Sequence, residues 1–315
     1  MVSQDWNMRI SPTAIEKMSF DFGNNEFYIK RDDLIPFSFG GNKVRKALKF
    51  FEWILANGYT AVATYGSSSS NHCRIVANMA SKFKLPCYIV SPEEGYYQTA
   101  NSRMVTMFGA EIVKAPLDKI KETINVLMKN ISTTHNPFFI QGGGHGNLGT
   151  QAYVEAYGEI CNYENNNNIK FDYIFHASGT GATQAGLICG AALSNDFVTN
   201  IVGISIARAN PYGMSVIEES VADYLKSVSY GGKIPKVVFD DSYICGGYGK
   251  YTSEIVNMII AVLENDGIPL DTTYTGKAFW GMKDYILKHG ISNKRILFIH
   301  TGGTPLFFDE LKGFV

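Results

Sequence analysis

The stretch Tyr173-Ile174-Phe175-His176-Ala177-Ser178-Gly179-Thr180-Gly181-Ala182-Thr183-Gln184-Ala185-Gly186 holds a strand, a turn and the start of a helix in succession. Residues 173–177 form a short apolar run closed by a glycine turn, the pattern of a strand buried on both faces. A helical segment follows from Gln184 to Leu193. The same rhythm recurs on either side. Upstream, 60–65, 87–90, 111–113 and 138–140 are strand-like, while 74–80, 99–108, 120–128 and 151–161 are helical, and the asparagine run 165–168 reads as a polar loop. Downstream, 201–206 and 296–300 are strand-like, with helices near 216–225, 254–263 and 278–287. An extended segment stands at 27–29. Strands alternating with helices of about ten residues predict βαβ units, and so an α/β fold with mainly parallel sheets covered on both faces. No Pro/Ser-rich linker separates the halves and no fixed-period repeat occurs, so a second domain is expected as an insertion.

In such sheets ligands bind beyond the carboxyl ends of the strands. Every unusual stretch lies at such an end: the serine run 67–70 with Asn71 and His72, the glycine run 142–144, the 178–183 turn, and Thr301-Gly302-Gly303. In the 178–183 turn the glycines clear side chains away, the hydroxyls donate, and the helix N-terminus adds free N–H groups and positive dipole. That suits a phosphate. It reads equally as a tight turn capped by Ser or Thr. It is no dinucleotide fingerprint, because Gln184 stands where a glycine belongs, and no P-loop, because Gly-Lys-Ser/Thr is missing. Ser70 or Asn71 is first of all a helix N-cap; the Asn71 amide also has the reach to meet a ring oxygen or a carboxylate. Tyr248 and Tyr274 sit in glycine-containing loops, and with 18 tyrosines in the chain packing is the ordinary role of each.

One lysine stands out. Ser38-Phe39-Gly40-Gly41-Asn42-Lys43-Val44-Arg45-Lys46 follows Ile29-Lys30-Arg31-Asp32-Asp33. The two glycines let the backbone approach a flat ligand closely, and apolar spacing after Lys43 marks a helix start. Helix dipole and neighbouring cations lower a lysine pKa toward the neutral amine that Schiff-base chemistry requires. A lysine in this setting also reads as a solvated loop residue. Asp32 and Asp33 are expected to pair with Arg31, Lys30 or Arg45 rather than to serve as acid and base.

Composition narrows the classes. The chain has 315 residues, 45% hydrophobic and 18% charged, enough for about two domains and a sizeable core. A formal net charge of −1 without a basic block argues against nucleic-acid and anionic-membrane partners. Five dispersed cysteines lack metal-like spacing and read as reduced thiols. Zinc or iron is not expected. Met1–Trp6 shows no signal-peptide pattern, and no apolar run reaches the ~18 residues of a membrane span. A cytoplasmic protein is expected.

Taken together, Ile29–Asp33 with Gly40–Lys46, Ser70-Asn71-His72, Ser178–Gly186, Tyr274-Thr275-Gly276-Lys277-Ala278 and Phe298–Gly303 occur in an order and spacing that resembles the 1-aminocyclopropane-1-carboxylate deaminase / D-cysteine desulfhydrase family. The resemblance runs from about Pro12 to Pro305. It implies a pyridoxal 5'-phosphate enzyme of the tryptophan-synthase-β-like fold, fold type II, with two three-layer α/β/α domains. The larger would comprise 1–47 plus 151–315, and a smaller one, 48–150, would be inserted. Lys43 would hold the cofactor aldehyde and move the α-proton. Gly179, Thr180, Gly181, Ala182 and Thr183 would cradle the phosphate, and Asn71 would meet the ring hydroxyl. Ser70 and His72 would lie beside the substrate carboxylate, with Tyr248 and Tyr274 lining the substrate pocket as acid/base or orienting groups. Relatives are commonly homodimers.

The resemblance also separates two branches. The deaminase branch has Tyr-Glu-Gly-Lys where this chain has Tyr274-Thr275-Gly276-Lys277, and Leu-Gly-Gly where it has Thr301-Gly302-Gly303. A carboxylate beside the pyridine nitrogen keeps it protonated and deepens the electron sink, whereas a threonine hydroxyl, from Thr275 or Thr301, leaves it neutral. The expected reaction is therefore α,β-elimination from a small amino acid, D-cysteine among them, to a 2-oxo acid, ammonia and sulfide. Cyclopropane-ring deamination, β-replacement and non-enzymatic cofactor binding are the alternatives. Ser69 stands where the family has Gln, and Lys250-Tyr251-Thr252 where it has Val-Pro-Asn. Both departures bear on the substrate rather than the cofactor.

Overall fold

The computed structural model describes residues 10–314; the opening Met1–Trp6, read above for a leader, lies outside the described residues. A hairpin of β1 (Ile15–Lys17) and β2 (Glu26–Lys30) leads into α1 (Asn42–Ala56). Strands and helices then alternate: β3 (Ala61–Tyr65), α2 (Asn71–Lys82), β4 (Cys87–Pro92), α3 (Ala100–Met107), β5 (Glu111–Ala115), α4 (Ile120–Ile131) and β6 (Pro137–Ile140). The long α5 (Asn147–Asn167) precedes β7 (Tyr173–Ser178), α6 (Ala182–Leu193), β8 (Asn200–Ser205) and α7 (Tyr212–Ser227). The chain continues through β9 (Val238–Asp240), α8 (Ser253–Asp266), α9 (Thr275–Lys288), β10 (Arg295–Ile299) and α10 (Thr304–Glu310).

Two sheets result. One has the order β5-β4-β3-β6, parallel throughout; the other has the order β1-β2-β10-β7-β8-β9, with β1 antiparallel to β2 and the remaining pairs parallel. The quoted stretch accounts for the three layers of the larger sheet. Ile174 packs on one face with Tyr157, Ile188 and Leu297, below α5 and α6. Phe175, its neighbour, packs on the other with Ile259, Phe279 and Phe298, below α8 and α9. Alternate side chains thus bury to both sides, which is why the run is apolar without interruption. Each fully buried side chain of this size contributes about 1.5–3 kcal/mol. In the smaller sheet Val62 and Ile89 pack with Phe51, Ile75 and Met79 of α1 and α2, while Ala61 and Ala63 meet Ile131 of α4 on the opposite face.

The α/β class and mainly parallel sheets agree with the sequence reading. Three short elements escaped it: β1 and β9, too short to show alternation, and α10, which begins at the Gly303-Thr304-Pro305 turn. The asparagine run is not a loop up to Asn167. Buried Glu164 accepts from the Phe171 amide and from Lys170, which holds the last turn of α5, and Asn168 closes the helix at φ +50°.

Asp32 and Asp33 pair with arginines as expected. Arg45 grips Asp32 at 2.8 Å and Glu159 of α5 at 2.7 Å, Tyr153 donates to Asp32 at 2.6 Å, and Arg31 holds Asp33 at 2.8 Å. This buried network fixes the first turn of α1, and with it Lys43, against β2 and α5.

Candidate active site

The strand ends of both sheets open onto a cavity of about 820 Å³. Turns following β3, β6, β7, β8 and β10 contribute to its wall, and the first turns of α1, α2 and α6 point at it through Lys43, Asn71 and Thr183. Three helix N-termini around one space make a receptacle for anions.

Lys43 lies on that wall, its Nζ donating to the Gly143 carbonyl at 3.1 Å. Burial lowers its pKa to about 8, against a smaller opposing effect of Lys46. Desolvation is the dominant cause, and the neighbouring cation Lys46 acts against it rather than with it. The expected work of the two glycines is also corrected. A Cβ on Gly40 would stand 2.0 Å from the Asp33 carbonyl oxygen, and one on Gly41 2.7 Å from that of Thr301. They admit neighbouring backbone, not a flat ligand. The Asn42 amide donates to the Thr301 carbonyl at 3.0 Å, while its side chain donates to Thr183 at 3.1 Å, joining the starts of α1 and α6.

Gly179, Thr180, Gly181 and Thr183 line the cavity; Ala182 is buried behind them at the first position of α6. The Thr180 carbonyl accepts from Arg208 and from His145 Nδ1, each at 3.2 Å. Gly143, at φ +71°, packs on Thr180 so closely that a Cβ would stand 2.7 Å from its Oγ1. Gln184, the residue that spoiled the dinucleotide fingerprint, braces this turn by accepting from Ser178 Oγ at 3.0 Å and donating to Val238 O at 2.7 Å. Gly186 serves helix packing: a Cβ there would stand 2.4 Å from Tyr153 Cβ of α5.

Ser70 is the N-cap of α2, accepting from the Cys73 amide at 3.2 Å, as its simplest reading had it. Asn71 shows its amide nitrogen to the cavity, because its Oδ1 is engaged by Arg74 at 2.7 Å and by Asn101 Nδ2 at 2.9 Å. His72 reaches the wall but its ring is turned inward. Thr64 Oγ1 donates to Ile140 O at 2.8 Å, so His72 Nε2 donates to Thr64 at 2.8 Å, leaving Nδ1 an acceptor. Burial, helped by Lys43 and Lys46, holds that ring well below the ordinary histidine pKa, hence neutral. The side chain is therefore no donor to a carboxylate.

Tyr248 and Tyr274 come together with a 2.5 Å hydroxyl–hydroxyl bond, and Tyr248 reaches Ser67 and Ser69 at 3.4 Å. Burial, and then its Tyr248 partner, hold the Tyr274 phenol well above the ordinary value. Thr301 lines the cavity and Thr275 does not. Thr275 is fully buried, donating to Asp271 Oδ2 at 2.8 Å and accepting from the Asp271 amide at 2.9 Å. That placement corrects the expectation that its hydroxyl is available to the cofactor ring.

Sequence reasoning missed Lys46. It lies one turn after Lys43 on the cavity wall, 1% exposed, its pKa held well below the ordinary value by burial and by Lys43. The i, i+3 spacing of the two lysines on a helix start was the available signal. Arg208 and His145 were missed too, each being a lone polar residue in a loop.

The donors fit an anionic aldehyde. A buried amine of lowered basicity faces glycine-rich amides, a second buried lysine and an oriented amide, with a Cβ-free cradle at Gly143. This set of groups suits a phosphorylated aldehyde cofactor. The chain belongs to the pyridoxal-phosphate dependent enzyme family, whose profile matches residues 7–302. A D-cysteine desulfhydrase of Serratia proteamaculans is 31% identical over 309 residues, 95% of this chain and 93% of that protein. One from Yersinia pestis is 30% identical, covering 94% and 92%. A crystal structure described as an ACC deaminase homologue superposes with a TM-score of 0.85 at 30% identity, over 97% of this chain and 94% of that one. Fold type II and pyridoxal phosphate dependence, both implied by the earlier resemblance, follow.

Proposed function

We propose that the enzyme catalyses α,β-elimination on a small β-substituted amino acid such as D-cysteine, giving pyruvate, ammonia and sulfide. The observation that carries this reading is Thr301 on the cavity wall, where the deaminase branch has Leu, together with Thr275 where that branch has its carboxylate; the two D-cysteine desulfhydrases support it. When bound, pyridoxal phosphate supplies an electron sink for the substrate α-carbon. Lys43 would hold it and, once released to the substrate, take the α-proton at Nζ, for which an amine of pKa about 8 is suited. Gly179, Thr180, Gly181, Ala182 and Thr183 would bind the phosphate with Lys46 as counter-charge. Asn71 would donate to the ring hydroxyl, and Thr301, rather than Thr275, would meet the pyridine nitrogen.

On the substrate side, Ser70 and the α2 N-terminus would receive the carboxylate, the backbone N–H of His72 serving in place of its ring. Tyr248 and Tyr274 would pass a proton to the departing thiolate. The C–S bond breaks with its electron pair on sulfur, and the freed enamine takes up water to give pyruvate and ammonia. Two units, 1–47 with 151–315 and 48–150, would close over the substrate. A homodimeric, cytoplasmic protein is part of the same reading. Among the described residues no helix is long and apolar enough to cross a membrane.

The test is direct. The purified enzyme is given D-cysteine or β-chloro-D-alanine and assayed for pyruvate; no pyruvate from any β-substituted alanine, of either hand, sinks the reaction. Release of 2-oxobutyrate from 1-aminocyclopropane-1-carboxylate would instead favour the deaminase reading.

A further inference from the structure

Lys277 belongs to the same motif as Tyr274 but lies outside the cavity wall. Its side chain is fully buried, and among the described residues its Nζ forms no ion pair. The ammonium instead donates to three backbone carbonyls, Ile206 O, Ile244 O and Gly247 O, each at 3.0 Å. An ammonium has three protons, and all three are used.

The three carbonyls come from two segments, one after β8 and one before α8, which also pack together through Ile206, Tyr243 and Cys245. Ile206 opens the turn after β8 that carries Arg208. Ile244 and Gly247 lie in an irregular loop wound by positive φ at Cys245, Gly246, Gly247 and Gly249, of 52°, 85°, 128° and 72°. That winding aims two of its carbonyls inward at one point. Carbonyl dipoles pointed at a common centre repel each other unless a cation sits between them. The residue after Gly247 is Tyr248, and Lys277 stands one helical turn beyond Tyr274 on α9. The ammonium therefore ties the loop of one tyrosine to the helix of the other.

We propose that Lys277 is a positioning residue for the Tyr248–Tyr274 pair, acting as a built-in cation whose carbonyl socket holds the 244–249 loop over the substrate side. The proposal rests on the assignment of that pair to the substrate side of the cavity. It commits to a specific chemistry: once the side chain is cut back, the socket takes a small primary ammonium ion.

The experiment compares the cofactor-loaded parent with K277A and K277M. Cofactor loading is followed by visible absorption, loop order by hydrogen exchange of the 243–251 peptide without substrate, and turnover by pyruvate release. K277A is expected to keep the cofactor, exchange faster in 243–251, and lose about a hundredfold in kcat, the scale of a misplaced catalytic group. Ethylamine or n-propylamine should restore kcat at least about tenfold and slow the exchange again, while tert-butylamine should do neither. K277M fills the channel without charge. It should show the same losses with no rescue, and the parent should gain nothing from the amines. Parent-like kcat and exchange in either variant would overturn the proposal, as would losses in K277A that no small amine reverses. Should K277A not fold, K277M decides alone, by whether kcat and loop exchange change. Because exchange is read without substrate, absence of elimination in the parent counts against the reaction and not against this socket.

Discussion

Replacing Lys43 by Met in the cofactor-free protein should stabilise the fold, and by an amount that depends on pH. Burial takes the amine from its ordinary 10.5 to about 8, with the Gly143 carbonyl as its acceptor. In the unfolded chain the amine is already protonated below 10.5, but in the folded protein only below about 8. Between those values the unfolded state holds the extra proton, so stability rises with pH across that window. Below about 8 the full penalty stands. At 1.36 kcal/mol per pH unit it amounts to about 3 kcal/mol. Met keeps the length of the side chain and removes the charge. K43M is therefore expected to be more stable than the parent by up to about 3 kcal/mol at pH 6.5, the gap closing toward pH 10.5 until only a pH-independent packing difference is left. The assay is urea unfolding of both cofactor-free proteins at several pH values, followed by fluorescence and circular dichroism together, since coincident transitions license a single free energy. A difference that stays constant with pH, or grows on the alkaline side, refutes the reasoning. The same variant given pyridoxal phosphate and borohydride should carry no reduced adduct, where the parent carries one on residue 43.

Three further outcomes are expected. R74M removes one of the two donors that hold Asn71 Oδ1 and leaves Asn101 alone to orient the amide; the cofactor dissociation constant from spectral titration should rise about tenfold, and an unchanged value would show that Arg74 is not needed to orient Asn71. G143A places a methyl group against Thr180 on backbone of φ +71°, and should weaken cofactor binding and cost about 1–3 kcal/mol of stability; parent-like behaviour in both would mean that the cradle gives way easily. T275V and T301V should part company. The first should lower stability by about 1–3 kcal/mol through the lost Asp271 bonds and leave the spectrum of the bound cofactor unchanged, whereas the second should alter that spectrum at nearly unchanged stability. Matching spectra in the two variants would remove Thr301 from the pyridine nitrogen.

Much of this was legible in the residues because it is local. An apolar run between a loop and a glycine turn announces a strand buried on both faces, so β7, β8 and β10 stood out, while β1 and β9, three residues each at sheet edges, carry too little pattern. Lys43, the 179–183 turn and the Tyr248 and Tyr274 loops stood out for the same reason, since turns and glycines mark themselves. His72 and Thr275 show the limit. Both lie in the right motif, yet one ring is drawn to Thr64 on β3, which the motif does not announce, and the other hydroxyl to Asp271, a local partner four residues back that motif reading passes over.

The sequence by itself determined the alternation of strand and helix, the placing of every special turn at a strand's carboxyl end, and the pairing of a candidate lysine with a candidate phosphate turn. These follow from short-range periodicity and from glycine's backbone freedom. Only the tertiary structure decided which amine is dry enough to lose its proton, that Lys46 stands beside it, which of two threonines faces the cavity, and that Lys277 closes a ring of carbonyls. Burial and hydrogen-bond geometry arise where segments far apart in the chain meet, and no local pattern encodes that meeting.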